Sequence, residues 1–269
     1  MRTSKINDFS ADKLKEYLEN KKITTNGIWL SEFNEKPLFG KFLIPKRSDF
    51  PKNSKDFHGL YIPEIPYQMI MRFTKEKGTV WSQFGGSGTD YYICELLKRK
   101  CYINDINPFQ SFIEYGDSRY IKLPEKVDLI LSHPPYWDMV KYSEDPADGS
   151  SKKTLKEFLL WWVSIVENSI NNLKDGGYFI IVCGNMYKNS EEIELGSILM
   201  NIALSKGFIL KQHIIKDYGE TKGSEKKHYN VNYYRQLMGG YGNFYGDNIF
   251  ILKKCKSKND IANLLKDIL

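Results

Sequence analysis

From Pro66 onward the chain alternates two hydrophobic patterns. Short apolar runs cover Thr79–Gln83, Cys101–Asp105, Val127–Ser132, Tyr178–Cys183, Phe208–Ile215 and Asn248–Leu252, and each has the length and β-branched content of a buried strand. Between them lie stretches with apolar residues three and four apart. Pro66–Lys75 carries Met69, Ile70 and Phe73 on one face, and Thr89–Lys98 carries Tyr92, Ile93, Leu96 and Leu97. Thr154–Leu173 is the most regular, and Glu191–Ser205 is a further helix closed by Gly207. Strands alternating with amphipathic helices predict an α/β fold: a mainly parallel twisted sheet with helices on both faces. The last two strand runs have no helix between them, which predicts an antiparallel hairpin at the C-terminal edge. Residues 10–20 read as a short capped helix, and 27–66 as an irregular segment with short strands at Gly27–Ser31 and Lys41–Ile44. The chain thus divides into an N-terminal arm, 1–57, and one domain, 58–269.

Composition narrows the picture. The 269 residues are 41% hydrophobic and 27% charged, enough to bury a core in one domain. No apolar run reaches the roughly 20 residues of a membrane span. The first residues lack a signal-type apolar stretch, so a cytoplasmic protein without a membrane partner is expected. Lys and Arg number 39 against 33 Asp and Glu, a net charge of +6 that permits a polyanionic partner without requiring one. The cysteines Cys94, Cys101, Cys183 and Cys255 form no CxxC pair and read as free thiols; the four histidines share no ligand spacing, so no metal is expected.

Four segments carry candidate chemistry. Phe84-Gly85-Gly86-Ser87-Gly88-Thr89 falls between a strand and a helix, where glycines allow a sharp turn and helix N–H groups face a ligand. The next strand ends in Asp105-Ile106, an acid about 20 residues beyond the loop, which suits the hydroxyls of a ribose. Asp117-Ser118 follows in a later loop, where an acid can meet an adenine amino group. The alternative is a plain turn with a capping Asp. Fourth, Val127–Ser132 runs into His133-Pro134-Pro135-Tyr136-Trp137. Two prolines at a strand end fix the backbone, remove two donors and keep their carbonyls as acceptors, beside an aromatic pair.

The glycine loop together with His133–Tyr136 resembles the S-adenosylmethionine-dependent DNA amino-methyltransferases, the N4-cytosine and N6-adenine enzymes. That resemblance runs from about His58 to about Lys253, in the motif order of the gamma group. It implies a Rossmann-like class I methyltransferase with S-adenosylmethionine held by Phe84, Gly85, Gly86, Ser87, Gly88, Thr89, Asp105, Ile106, Asp117 and Ser118. It implies catalysis by His133, Pro134, Pro135 and Tyr136 on a flipped base of double-stranded DNA. The first side chain and the first Pro carbonyl would draw on the amine N–H groups, and Tyr136 would stack on the base. Asp175-Gly176-Gly177 resembles the family's turn before Tyr178–Cys183. Two departures stand out. Ser82-Gln83 replaces the family's Asp-Pro, leaving Glu64 or Asp90 as the substitute acid. His133 stands where the family has Asp, Asn or Ser, and only neutral imidazole offers an acceptor nitrogen. Methyl transfer is therefore expected to fall as pH drops through the His133 titration.

For DNA contacts the candidates are Trp137 and the basic, tyrosine-rich stretch with Lys222, Lys226, Lys227 and Arg235. Glu144–Lys153 reads as a polar lid over the base pocket. The partner would be a second copy or a restriction-system protein. The alternatives are an RNA or protein N-methyltransferase with a related Pro-Pro-Tyr site, and a catalytically decayed nucleic-acid-binding relative.

Overall fold

The six apolar runs become six strands of one eight-stranded sheet. The computed structural model describes residues 28–29, 62–217, 238 and 246–257. In chain order the elements are β1 (Ile28–Trp29), α1 (Glu64–Phe73), β2 (Thr79–Ser82), α2 (Thr89–Leu96), β3 (Lys100–Asp105), β4 (Glu114–Tyr115), β5 (Val127–Ser132), α3 (Leu155–Asn172), β6 (Leu173–Cys183), β7 (Met186–Lys188), β8 (Glu191–Ile193), α4 (Leu195–Ser205), β9 (Phe208–Asp217) and β10 (Gly246–Lys254). The sheet order is β1-β9-β10-β6-β5-β2-β3-β4, and β7 and β8 form a separate hairpin.

Strands β6, β5, β2, β3 and β4 are mutually parallel. β10 inserts antiparallel between β6 and β9. The C-terminal ends of β2, β3, β5 and β6 therefore share one edge with the end of β9 and the start of β10. Alternate residues split the core between the two faces. Val80, Leu129, Leu131, Ile180 and Ile249 pack with Ile65, Met69, Ile70 and Phe73 of α1 and Ile93 of α2. Trp81, Ile130, Phe179, Ile181 and Phe250 pack with Phe158, Trp162 and Ile165 of α3 and Leu195 and Leu199 of α4. Both faces are covered, which is why these strands read as continuous apolar runs.

Helix α3 starts on a reciprocal cap: Thr154 Oγ1 accepts from Glu157 N at 3.2 Å, and Glu157 Oε2 accepts from Thr154 N at 3.2 Å. The helix after Cys183 begins at Leu195, not Glu191, because Glu191–Ile193 pairs with Met186–Lys188. The β9–β10 hairpin exists but is not the outermost element, since β1 pairs with β9 in parallel. Asp175-Gly176-Gly177 is a bulge inside an eleven-residue strand: pairing jumps from Val127↔Leu173 to Leu129↔Tyr178, with Gly176 at φ 78°. All four cysteines are free thiols, with Cys94 and Cys183 buried. Of the N-terminal arm 1–57, only Ile28–Trp29 falls among the described residues; the helix at 10–20 and the strand at Lys41–Ile44 lie outside them. No helix among the described residues is long and apolar enough to cross a membrane.

Candidate active site

The shared strand edge opens into a cavity of about 650 Å³. Its floor is the glycine loop. Gly85 N donates to Asn104 O at 2.9 Å, and Gly88 N donates to Gly85 O at 2.7 Å, closing the loop as a tight turn. Gly88 has φ 82°, and an added Cβ would lie 2.5 Å from Phe112 Cζ. Only glycine serves there, for conformation and for space. Asp105, at the end of β3, accepts from Gly86 N at 2.9 Å and from Asn107 N at 2.9 Å. Burial pushes its carboxyl above the ordinary 3.8, and the bonds from Asn107 and Gly86 oppose that shift.

The predicted cofactor residues Phe84, Gly85, Gly86, Ser87, Thr89, Asp105, Ile106, Asp117 and Ser118 all line this cavity, and Gly88 lies within the same loop. Two of them are otherwise engaged. Arg119 clamps both oxygens of Asp117, its Nη2 donating at 2.6 Å. Buried Ser118 donates to the Gln83 carbonyl at 2.5 Å and accepts from Asn104 Nδ2 at 2.8 Å, fastening β2 to β3.

The Ser82-Gln83 departure has a structural answer. Ser82 Oγ donates to Asp90 Oδ2 at 2.8 Å, and Asp90 lines the cavity whereas Glu64 does not. A carboxylate thus arrives from the first turn of α2 instead of from β2. Gln83 is fully buried; its Nε2 donates to Ser169 Oγ at 2.8 Å, and its Oε1 lines up with no hydrogen-bond partner among the described residues. A buried orphan acceptor in a cavity wall costs free energy until a donor arrives.

The opposite wall is His133-Pro134-Pro135-Tyr136, leaving the end of β5, and all four residues line the cavity. Tyr136 Oη donates to Asp247 Oδ1 of β10 at 2.9 Å and lies 3.1 Å from His133 Nε2. Asp247 and Lys216, both nearly buried and both in the cavity wall, face each other at 4.0 Å. Burial pushes His133 below its ordinary value of 6.5; Asp247 pulls it up and Lys216 pushes it further down. Burial thus favours the neutral ring over the imidazolium. Gly184, directly after β6, gives Tyr136 its seat, since a Cβ there would lie 2.8 Å from Tyr136 Cε2.

Trp137 is not among the residues that line the cavity. It is buried in the core, with its Nε1 donating to Lys152 O at 3.0 Å and the Lys188 ammonium 4.0 Å from its ring centroid. A positive φ of 49° turns it away from the proline platform. Glu144–Lys153, the segment read as a lid, is hydrogen-bonded within itself and to α3. Asp148 takes Ser150 N at 2.8 Å and Ser143 Oγ at 2.9 Å, and Trp161 Nε1 donates to Ala147 O at 2.9 Å. Beside it runs a groove with Arg119, Lys141, Lys152 and Lys153, cations that sequence reading passed over because they are scattered along the chain. Lys222, Lys226, Lys227 and Arg235 lie outside the described residues. Among the described residues, no cluster of three or more His, Cys, Asp or Glu is placed to hold a metal ion.

The strand-edge cavity thus joins a glycine loop, an acid after the next strand and a Pro-Pro-Tyr platform. The family model described as DNA methylase, of the N6/N4 type, matches residues 127–261, half of the chain, and the chain belongs to that family. No curated protein matches the sequence. Among solved structures, TrmN from Thermus thermophilus is 17% identical with a TM-score of 0.47, covering 74% of this chain and 50% of its own. This chain thus spans half the length of that protein. The O-methyltransferase of a Brevibacillus brevis trans-AT PKS multienzyme, in complex with S-adenosyl-L-homocysteine, is 15% identical, with a TM-score of 0.40 and coverages of 66% and 67%. YjhP from E. coli is 14% identical, with a TM-score of 0.46 and coverages of 76% and 100%.

Proposed function

We propose that this chain methylates an exocyclic amine, cytosine N4 or adenine N6, on a base flipped out of double-stranded DNA. The observation that carries the reading is the convergence of His133–Tyr136 and the Phe84–Thr89 loop on one cavity wide enough for a nucleoside and a cofactor side by side.

The residues present fit the cofactor. Asp105 is poised for ribose hydroxyls, and Asp90 and the orphan Gln83 Oε1 suit an ammonium donor. Asp90, Asp105, Asp117, Asp148 and Asp247 outnumber Lys216 in the lining, which favours a ligand with positive centres. S-adenosylmethionine, when bound, supplies an electrophilic methyl group on a sulfonium. The protein's own work lies on the other side. An exocyclic amine is a poor nucleophile because its lone pair is conjugated with the ring. Acceptors aimed at its N–H groups, His133 and the Pro134 carbonyl, favour a tetrahedral nitrogen and release that lone pair. Tyr136 offers a face for the extruded base, whose stacking at about 1–3 kcal/mol offsets much of the cost of flipping. The Arg119, Lys141, Lys152 and Lys153 groove, with Lys222, Lys226, Lys227 and Arg235, supplies phosphate contacts.

The test is incubation with labelled S-adenosylmethionine and undermethylated genomic DNA, followed by nucleoside mass spectrometry. N4-methylcytosine or N6-methyladenine is the expected product and identifies the base. Label found only in RNA or in protein, with cofactor binding intact by calorimetry, assigns the chain to another substrate class. Loss of cofactor binding itself points to a decayed site.

A further inference from the structure

The four residues after Pro135 form a turn, closed by Met139 N donating to Tyr136 O at 3.2 Å. Both ends of the turn line the cavity, and Met139 is also 48% exposed. Of the large apolar side chains exposed among the described residues, only Met139 and Tyr142 belong to the cavity lining, and Tyr142 is the more covered of the two at 36%. An apolar side chain shared between a cavity and solvent stands at the rim. Two residues on, Lys141 lines the cationic groove with Arg119, Lys152 and Lys153. Trp161 lines both hollows, so cavity and groove adjoin.

A side chain at a cavity mouth can act on a duplex only if its backbone does not yield. This turn is braced on each side. Trp137 is buried in the core, and its Nε1 donates to Lys152 O at 3.0 Å. The Asp138 carboxylate pairs with the Lys188 ammonium of β7. Beyond the turn, Tyr142 N donates to Ser150 Oγ at 3.0 Å. Single exposed apolar residues are common on protein surfaces, but this one combines a cavity rim, a braced turn and an adjoining row of cations.

We propose that Met139 is a wedge that fills the gap left in the duplex when the target base swings in beside Tyr136. The proposal rests on the DNA-methylation reading above and names the residue that opens the stack. Extrusion of a base breaks its pair and uncovers the faces of its neighbours. An apolar side chain inserted at that step covers those faces again. Methionine suits the place because it is unbranched and its polarizable thioether packs against aromatic rings. Such contact is tolerant of sequence, since every base has a π-face. The groove's cations hold flanking phosphates while this happens. The residue that receives the base and the residue that replaces it are thus the two ends of one turn, so extrusion and insertion are linked by geometry.

The experiment uses the site methylated in genomic DNA, located by sequencing the product and made as two synthetic duplexes. One is fully paired. The other has an abasic position opposite the target base, so that extrusion breaks no pair. Methylation rates are measured on the full chain at saturating cofactor. Met139→Ala is expected to lose roughly 10- to 100-fold on the paired duplex and to recover much of that loss on the abasic one. Met139→Leu, which restores an apolar tip of similar volume, should recover most of the loss on the paired duplex. Cofactor affinity by calorimetry should be the same in all three proteins, which also confirms that they are folded. A Met139→Ala rate equal to that of the unaltered protein overturns the wedge. An equal loss on both duplexes also overturns it, because that marks a merely structural role. In either case, methylation of the paired duplex by the unaltered protein leaves the substrate reading standing. No methylated DNA from the unaltered protein overturns that reading, and the wedge with it.

Discussion

The two walls of the cavity are built in different ways. The wall proposed for the cofactor is made by neighbours in sequence: a loop of six residues, the acid at the end of the following strand, and backbone hydrogen bonds that join them. The wall proposed for catalysis is made by strangers. His133 and Tyr136 follow β5, Gly184 follows β6, Lys216 comes from β9 and Asp247 from β10. Backbone amides and glycine geometry fix the first wall, so it is insensitive to side-chain protonation except at Asp105. Side chains fix the second, so its properties depend on burial and on charges brought from a distance. A binding surface can be encoded locally, whereas a tuned imidazole needs the whole sheet edge.

The comparison breaks most sharply at His133. His133→Leu should lower kcat by about 10²- to 10⁴-fold while calorimetry shows unchanged cofactor affinity. An equal loss of both would mean that the walls are not separable. Gly88→Ala is the converse case. A φ of 82° and a contact of 2.5 Å to Phe112 make the change cost about 1–2 kcal/mol in conformation alone, so cofactor affinity should drop about tenfold or more. Gly184→Ala presses on Tyr136 at 2.8 Å and should reduce kcat several-fold with little effect on cofactor binding. Steady-state kinetics at saturating cofactor measure that split.

The smallest effect sharpens the comparison through stability. Burial raises the Asp105 carboxyl, so ionising it costs more in the folded than in the unfolded chain. That penalty is absent well below the ordinary value of 3.8, grows as pH rises through the folded value, and is full above it. Asp105→Asn should therefore melt at a higher temperature than the unaltered protein at pH 7, with the two curves converging in acid. The same variant should bind cofactor about 10-fold more weakly, because a charged acceptor is lost. A lower melting temperature at pH 7 would count against a functional reason for this buried acid.

Much of this was legible beforehand. The alternation of apolar runs and amphipathic stretches placed six strands and four helices within a few residues, because burial on both faces leaves a continuous apolar signature. What the pattern missed is short or conditional. Glu114–Tyr115 is two residues long, and Glu191–Ile193 is polar and exposed enough to read as a helix start. Trp137 looked available because an aromatic beside prolines suits stacking, but its left-handed backbone sends the ring into the core. Glu144–Lys153 looked loose because it is polar. Its serines and aspartates instead bond to one another and to nearby backbone, which composition does not reveal.

The sequence alone determined the parts whose geometry is local. Glycines after β2, an acid after β3 and paired prolines after β5 act within a few bonds of themselves, so their chemistry follows from order and spacing. Only the tertiary structure decided what His133 is. Burial pushes its titration below the ordinary value, and the Tyr136 hydroxyl beside it donates to Asp247, a residue brought alongside because β10 runs antiparallel next to β6. No spacing rule links positions 133 and 247. They meet because the sheet puts the start of one strand beside the end of another.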